Sequence, residues 1–546
     1  MSARWPVVVV GGGPAGLAAA IELGRAGVRC LVVEPRTEVS DHRPRAKTTH
    51  ARTMELLRRW GLADRLRAAA PVPVSYAEDV VFCTGVLGRE ITRFRHAFAM
   101  HAARRDEVAE GGQQVPQPVV ERVLREAVRD QRSVTLWLGA RVEAVHDARD
   151  GACLRVVEAD GTASDVEADW VLGCDGAAGV TRAAIGAAYA GSSGERPNLS
   201  ITFRAPALTE ERLCARAAHW WAVGGPVGGI VGRMDLEGTW WAIAQGVRAD
   251  DPRDPADLVR ALLGADLAVE VLATDPWTAR MLLVDRYRGH RVFLVGDAAH
   301  LNPPWGGHGY NTCVGDAVNL GWKLGAVLTG WAGPALLDSY EPERRPVAAR
   351  TIDDAAAQDR RLAGTFTATG DAELAAALQV KEAEFHSLGL VLGAHYAGSP
   401  AVVDDGSPVP PPHPIRYHAS ARPGARLPHR WCADGSSIYD HLGPGLTVLR
   451  LDPALDVTAL LDAARARGAP LAVVDTGPDD LARWGAPLLL VRPDQHVAWR
   501  AHHAPGPGGA DALLDRLLGG PPAAEHHTVP PTSRVAVTTT PTGELP

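Results

Sequence analysis

Three short stretches of this sequence carry residue types whose spacing can hold and use a dinucleotide. The first is Gly11-Gly12-Gly13-Pro14-Ala15-Gly16, which follows the apolar run WPVVVV and opens into LAAAIELGRAG. In a G-x-G-x-x-G turn the first glycine permits the bend, the second lets a pyrophosphate reach the backbone, and the third lets helix and strand pack closely. The helix start adds free N–H groups and the positive end of the peptide dipole. Glu34 closes the next apolar run, RCLVVE, where a carboxylate accepts from ribose hydroxyls and disfavours a 2′-phosphate. This motif alone does not separate NAD from FAD. The other two stretches also close apolar runs: Gly173-Cys174-Asp175-Gly176-Ala177, and Gly296-Asp297-Ala298-Ala299-His300 followed by Pro303-Pro304-Trp305-Gly306-Gly307-His308-Gly309-Tyr310-Asn311. Open α/β sheets bind ligands outside the carboxyl ends of their strands. Asp297 is therefore placed to accept from a ribityl hydroxyl, and the helix that follows can face the pyrimidine edge of a flavin.

The elements that must position these groups are legible around them. Residues 5–34 read as strand, glycine turn, helix, strand. Further strands are predicted at 133–139, 140–148, 152–159 and 168–176, with a turn at Asp160-Gly161. A buried parallel strand is predicted over 291–300 and a helix over 316–330. Six of the 15 tryptophans fall between Trp220 and Trp305, in strand-like sequence such as GTWWAIAQGV. Alternation puts only one member of each Trp-Trp pair on a given face, and Trp220, Trp221, Trp240 and Trp241 are candidates to line an aromatic-substrate pocket. Residues 346–395 are alanine-rich and helix-periodic, and DDGSPVPPPHP (404–414) is a proline-rich linker. The order strand, helix, strand, strand, strand over 415–520 predicts a small α/β domain, and the composition after it predicts a disordered tail.

Composition narrows the function classes. The chain has 546 residues with a formal charge of −8, which argues against nucleic acid as partner. No run of 18 apolar residues suggests a membrane span, and the sequence enters a strand almost at once, leaving no room for a signal peptide. The expectation is a cytoplasmic enzyme. Seven scattered cysteines argue against a disulfide framework or a zinc site. Of 56 basic residues only Lys47, Lys323 and Lys381 are lysines. Arginine abundance here reflects coding bias and is no signal of phosphate recognition.

Together, GGGPAGLAAAIELGRAG with VVEPR, PRAKTTHARTMELLRRWGL, GCDGA, and RVFLVGDAAHLNPPWGGHGYNT with DAVNLGWKL and LLDSYEPERRPVA resemble the class A FAD-dependent aromatic hydroxylases. These have the para-hydroxybenzoate hydroxylase fold, and the chain is most similar to their phenol hydroxylase and aromatic polyketide hydroxylase branch. The resemblance is strong over residues 5–350 and continues into ARPGARLPHRWCADGSSIYDHLG, the entrance to that branch's thioredoxin-like domain. It implies an α/β fold with a Rossmann-like FAD domain (1–75, 100–185 and 280–345) interleaved with a β-sheet substrate domain (76–99 and 186–279). A helical connection (346–403), the linker, a thioredoxin-like domain (415–520) and a tail (521–546) follow. It also implies site residues. Gly11, Gly13, Ala15 and Gly16 would hold the pyrophosphate and Glu34 the adenosine ribose. Arg36 and Arg45 would lie near the FAD, Gln117 near its ribityl chain, and Val142 at the adenine. Asp175 would belong to the motif serving FAD and the nicotinamide cofactor, and Asp297 would bind the ribityl chain. Pro304, Gly307, Gly309, Tyr310 and Asn311 would line the isoalloxazine. The implied activity uses NADPH or NADH and O2 to hydroxylate a phenolic or quinonoid polycyclic substrate through a flavin C4a-hydroperoxide. The enzyme would be a monomer or homodimer.

Two positions depart from the family pattern. Gly179 stands where D-G-A-x-S-x-V-R has serine, and Cys313 ends G-Y-N-T-C where glycine is usual. Cys313 at a helix start is either a thiol of lowered pKa or a small apolar filler. His300 and His308 are either structural or acid–base groups. The single Cys432 in WCAD excludes an intramolecular redox disulfide in the C-terminal domain. A disulfide reductase would need a cysteine pair and a second glycine motif. A flavin halogenase would need W-x-W-x-I-P, whose spacing Trp240-Trp241-Ala242-Ile243 misses. Baeyer–Villiger oxygenation, hydroxylation of a simple phenol or phenolic acid, and a non-catalytic flavin-binding partner stand as alternatives.

Overall fold

The computed structural model describes residues 4–41, 44–363 and 371–521; all but the first residue of the expected tail lies outside them. Residues Val7–Val10 are β-branched and buried, as a strand covered on both faces must be. Their strand, Trp5–Val10, is the centre of a seven-stranded sheet, with Cys30–Glu34 on one side and Ala163–Gly173 on the other, both parallel to it. Val134–Leu138 and Val292–Leu294 extend the parallel part, and Gly151–Glu158 and Ala140–Ala148 form an antiparallel wing. Helix Pro14–Arg25 returns the chain from the first strand and packs on helices Gln117–Arg129 and His308–Leu328.

Three elements differ from their sequence-based bounds. The strand expected at 168–176 ends at Gly173, which leaves Cys174–Gly176 in the loop at its carboxyl end. The strand expected over 291–300 is only Val292–Leu294, because Gly296 turns the chain off the sheet at φ +65° into the short turn Gly296–Ala298. The helix expected from 316 starts at His308 and takes Tyr310, Asn311 and Cys313 into its first turns.

A second sheet has eight strands in the order His300–Leu301, Glu270–Val284, Tyr189–Arg204, Thr239–Gln245, Gly229–Arg233, His219–Ala222, Val80–Cys83, Glu90–Phe94. It runs past the expected limit of 279 and takes in a strand from the loop after the first sheet. Helix Pro255–Leu263 covers one face, burying Leu258, Val259, Leu262 and Leu263. The C-terminal unit is a four-stranded sheet in the order Leu471–Asp475, Leu446–Arg450, Leu488–Val491, Val497–Ala501. Its first pair is parallel and the others antiparallel, with helices Thr458–Ala466 and Pro507–Leu517. Among the described residues no helix is long and apolar enough to cross a membrane.

Candidate active site

The glycine turn is built by close approach. Gly11 sits at φ +102°, and a Cβ there would stand 2.4 Å from the Cys174 carbonyl oxygen; one at Gly16 would stand 1.9 Å from that of Gly11. Gly13 differs. Its backbone is extended, it caps the helix with no side chain, and a Cβ built on it meets nothing within 4 Å. No side chain caps the first-turn N–H groups, and the space beside Gly13 is open, the arrangement an anion needs. Beside it the Glu34 carboxylate accepts from Gly12 N (2.7 Å) and from the N (2.9 Å) and Nε (2.6 Å) of Arg36. A carboxylate offers about four acceptor positions, so one remains for a ribose hydroxyl. Arg36 also pairs with Glu121 at 3.1 Å, and Gln117 donates to Glu121 at 2.8 Å while accepting from Ala46 N at 3.1 Å. Arg45 is exposed nearby in sequence, and Val142 lies half-buried at a bulge in the wing. Burial pushes the Asp175 carboxyl up, opposed by hydrogen bonds from Thr181 N (2.9 Å) and Oγ1 (2.5 Å). Thr181 stands where the family pattern has valine, so this loop has its hydroxyl at 181 in place of 179.

The second helix start, at His308, is also uncapped: Gly307 precedes it at φ +67° with no side chain to bond its N–H groups. Gly296 joins the two starts, since a Cβ there would lie 3.3 Å from Ala15 Cβ and 2.9 Å from Cys313 Cβ. Asp297 is exposed at the turn, its backbone carbonyl accepting from the Tyr189 hydroxyl. Pro304 is exposed as well. Asn311 accepts from His50 N (2.9 Å) and donates to Thr48 O (3.0 Å) and Gly307 O (2.8 Å). Tyr310 Oη lies 3.4 Å from Thr49 Oγ1, and His50 Nε2 lies 2.8 Å from Gly306 O. A two-stranded ribbon, Thr48–Thr49 with Gln113–Gln114, thereby fixes the loop from outside its own sequence.

These observations coincide with what the chain is similar to. Residues 4–355 match the family described as FAD binding domain, and residues 420–521 match the aromatic-ring hydroxylase C-terminal family. The tetracenomycin B2 monooxygenase-dioxygenase of Streptomyces olivaceus is 31% identical, over 94% of this chain and 98% of that protein. Two solved structures superpose over 95% of this chain and 100% of theirs. They are RebC with bound 7-carboxy-K252c (TM-score 0.86, 32% identity) and the flavin-dependent monooxygenase PieE in complex with FAD and substrate (TM-score 0.85, 30% identity). The chain belongs to the FAD-dependent aromatic hydroxylases.

In this hydroxylase the residues present fit FAD: two uncapped helix starts, an open side at Gly13 and one free acceptor position on Glu34. His300 is tied into a buried polar chain. Burial works against its charge, yet Asp316 at 2.7 Å and Asn302 at 3.1 Å lift it above its ordinary value, and Arg344 closes the chain on Asp316. His308 is buried and driven well below its ordinary value by burial and by His50. Cys313 lies one and a half turns into its helix, and burial, with Asp297 and Asp316 beside it, pushes its thiol well up. These surroundings run against the lowered-pKa reading of Cys313, whose small buried thiol donates to Asp297 Oδ1 at 3.5 Å.

The four tryptophans part in pairs. Trp220 and Trp240 pack behind the sheet among Leu258, Val259 and Leu262 of the covering helix, and Trp220 Nε1 donates to Ala215 O at 2.9 Å. They belong to a core and line no substrate pocket, since each buried indole removes about 150–250 Å² from water for packing alone. Trp221 and Trp241 face the other way. Trp221 stacks on Phe82 at 5.3 Å, and Trp241 meets His219 edge-on at 5.2 Å.

Sequence reasoning missed His50 and Phe98. His50 is buried against the loop, and burial lowers it to about 4 against its bond to Gly306. Phe98 lies between His50 (6.4 Å) and His219 (5.4 Å). It is held at φ 57°, next to Ala99 at φ 55° and two residues after His96 at φ 52°. Such conformations cost about 1–3 kcal/mol each and persist where the surroundings over-determine them. The PRAKTTHAR segment and its histidine were the available signal.

Proposed function

We propose that this hydroxylase binds FAD along the edge of the first sheet and hydroxylates a phenolic or quinonoid polycyclic substrate held on the face of the second. The first-turn N–H groups after Gly13, with Gly11, Ala15 and Gly16, hold the pyrophosphate, and Glu34 takes the adenosine ribose. Arg36, Arg45, Gln117 and Val142 enclose the adenine and ribityl side, Asp297 accepts from the ribityl chain, and Asp175 orders the loop shared with the nicotinamide cofactor. Pro304, Gly307, Gly309, Tyr310 and Asn311 line the isoalloxazine. FAD held there would supply the chemistry that activates O2 for transfer of one oxygen atom to the ring, with NADH or NADPH as the reductant. The protein's own part is positional. Asn311 and His50 hold the loop in one geometry, the uncapped start at His308 presents N–H groups to negative charge, and the aromatic wall of Phe98, Trp221 and Trp241 keeps water out. The enzyme acts in the cytoplasm as a monomer or homodimer.

The observation that carries this reading is the meeting of two uncapped helix starts, at Gly13 and Gly307, beside an acidic residue with acceptor capacity to spare. Its test is NADH and NADPH oxidation by the flavin-loaded protein across polycyclic hydroxyquinones, simple phenols and phenolic acids, with product masses. Coupled turnover giving a +16 product from the polycyclic compounds is expected. A +16 product from simple phenolic acids alone would overturn the substrate class, and oxidation of neither cofactor with any of them would overturn the activity.

A further inference from the structure

Beyond the flavin loop, Lys47 brings an ammonium to the face of the second sheet opposite helix Pro255–Leu263. Lys47 directly precedes the Thr48–Thr49 ribbon, and its backbone is held by Val115 N at 2.8 Å. Its half-buried side chain reaches the sheet and lays Nζ over the Trp241 ring, 4.6 Å from the centroid. Among the described residues this ammonium makes no hydrogen bond and no ion pair within 4 Å. Two buried nitrogens beside it are likewise unpartnered, Trp241 Nε1 and His219 Nε2.

The sheet is shaped for this group. His219, Gly232 and Trp241 form one cross-strand row. Gly232 leaves the space in which the indole lies, since a Cβ there would stand 2.4 Å from Trp241 Cε2. The row ends at Phe98, whose strained backbone sets its ring between His219 and His50, and His50 bonds the flavin loop. A cation and two N–H-bearing rings, all with unused bonding capacity, thus stand a few side chains from the loop. A single buried polar atom without a partner, such as Trp240 Nε1 in the core behind the sheet, points to no ligand; here two such atoms stand together beside a cation, where one incoming acidic group can engage all three.

We propose that Lys47 anchors an acidic oxygen of the aromatic substrate, a phenolate or a hydroxyl conjugated with a ring carbonyl, with Trp241 Nε1 and His219 Nε2 as accessory contacts. The proposal rests on the aromatic-hydroxylase reading and adds the charge selection that reading lacks. A cation at the oxygen favours the ionised phenol, whose ring is richer in electrons and so better suited to accept oxygen. The titratable groups facing Lys47 are Asp275, from strand Glu270–Val284, and His219. Burial lowers Lys47 to about 8 against Asp275, and burial with Lys47 keeps His219 near 3 and neutral. Lysine suits such a place better than arginine, because its charge is a compact point with three rotatable donors.

The test compares 1,8-dihydroxyanthraquinone with its dimethyl ether, binding to the FAD-loaded protein being followed by tryptophan fluorescence and flavin absorbance. Wild type is expected to prefer the dihydroxy compound at least tenfold at pH 7. Lys47→Met should abolish the preference, and Lys47→Arg should keep part of it and retain it above pH 8, where wild type loses it. Gly232→Val, which displaces the indole beneath the ammonium, should weaken binding of the dihydroxy compound with the Lys47 side chain itself retained. Equal binding of the two compounds by wild type, or an undiminished preference in Lys47→Met, would overturn the proposal. Failure of the hydroxylase reading looks different: no NADH or NADPH oxidation with any phenol, whatever the binding preference.

Discussion

Two buried polar regions of this hydroxylase are built on opposite principles. Where the C-terminal domain meets the FAD domain, each charge is answered. Glu343 accepts from Arg492 (2.6 and 2.8 Å), Lys323 (2.6 Å) and Ser399 (2.6 Å), and Asp494 accepts from Arg492 (2.6 Å) and Asn319 (3.3 Å). Glu55 takes Arg426 (3.0 Å), Arg52 (3.2 Å) and Ala109 N (3.1 Å). On the sheet face near the flavin loop, Lys47, His219 and Trp241 are left open. A buried ion costs several kcal/mol unless it is paired, so full pairing fits a permanent joint. Open valences fit a surface that a small molecule completes. The joint ties Arg492 and Asp494 of the C-terminal domain to Asn319 and Glu343 on helices of the FAD domain.

The largest effect is expected at the joint. Glu343→Ala leaves Lys323 without its carboxylate and Arg492 with Asp494 alone, and should destabilise the protein by about 3–5 kcal/mol, read by urea denaturation. A loss under about 1 kcal/mol would erase the contrast between the two regions. Acid should act on the same side. Despite burial, Arg492 and Lys323 hold Glu343 far below the usual carboxylate range, and Arg426 and Arg52 hold Glu55 below it. A carboxyl depressed in the folded state stabilises above its unfolded value of about 4.3, and that contribution is lost as pH falls further. The melting temperature should therefore drop between about pH 5 and pH 3, and less steeply in Glu343→Ala. Gly13→Val comes next: its extended backbone accepts valine, so stability should stay within about 0.5 kcal/mol. The side chain would fill the open space, and FAD retention after dialysis should fall at least tenfold, about 1.4 kcal/mol. The smallest effect is expected for Cys313→Ala, about 1 kcal/mol or less of stability with flavin spectrum and turnover unchanged; altered turnover would return a chemical role to the thiol.

The glycine turn, Glu34 and the two strand-end aspartates were legible because their meaning is local: a turn, a cap and a helix start are set within some 25 residues. Cys313 was legible only as a departure from a pattern, because burial decides a thiol's character and burial is not a property of position in sequence. The tryptophans show the boundary well. Alternation separates Trp220 from Trp221 and Trp240 from Trp241, but it does not say which face a helix covers. Only the packing of Pro255–Leu263 does.

By itself the sequence determined the family, the parallel strands that carry the dinucleotide turn, and the charge and length that set the class of protein. Tertiary structure decided which residues stand together at the site. His50 and Asn311 are 261 positions apart, and His219 meets Trp241 only because Gly232 of an intervening strand has no side chain. Such contacts depend on register and on which surfaces exclude water, and both are fixed only when the whole chain has closed on its cores.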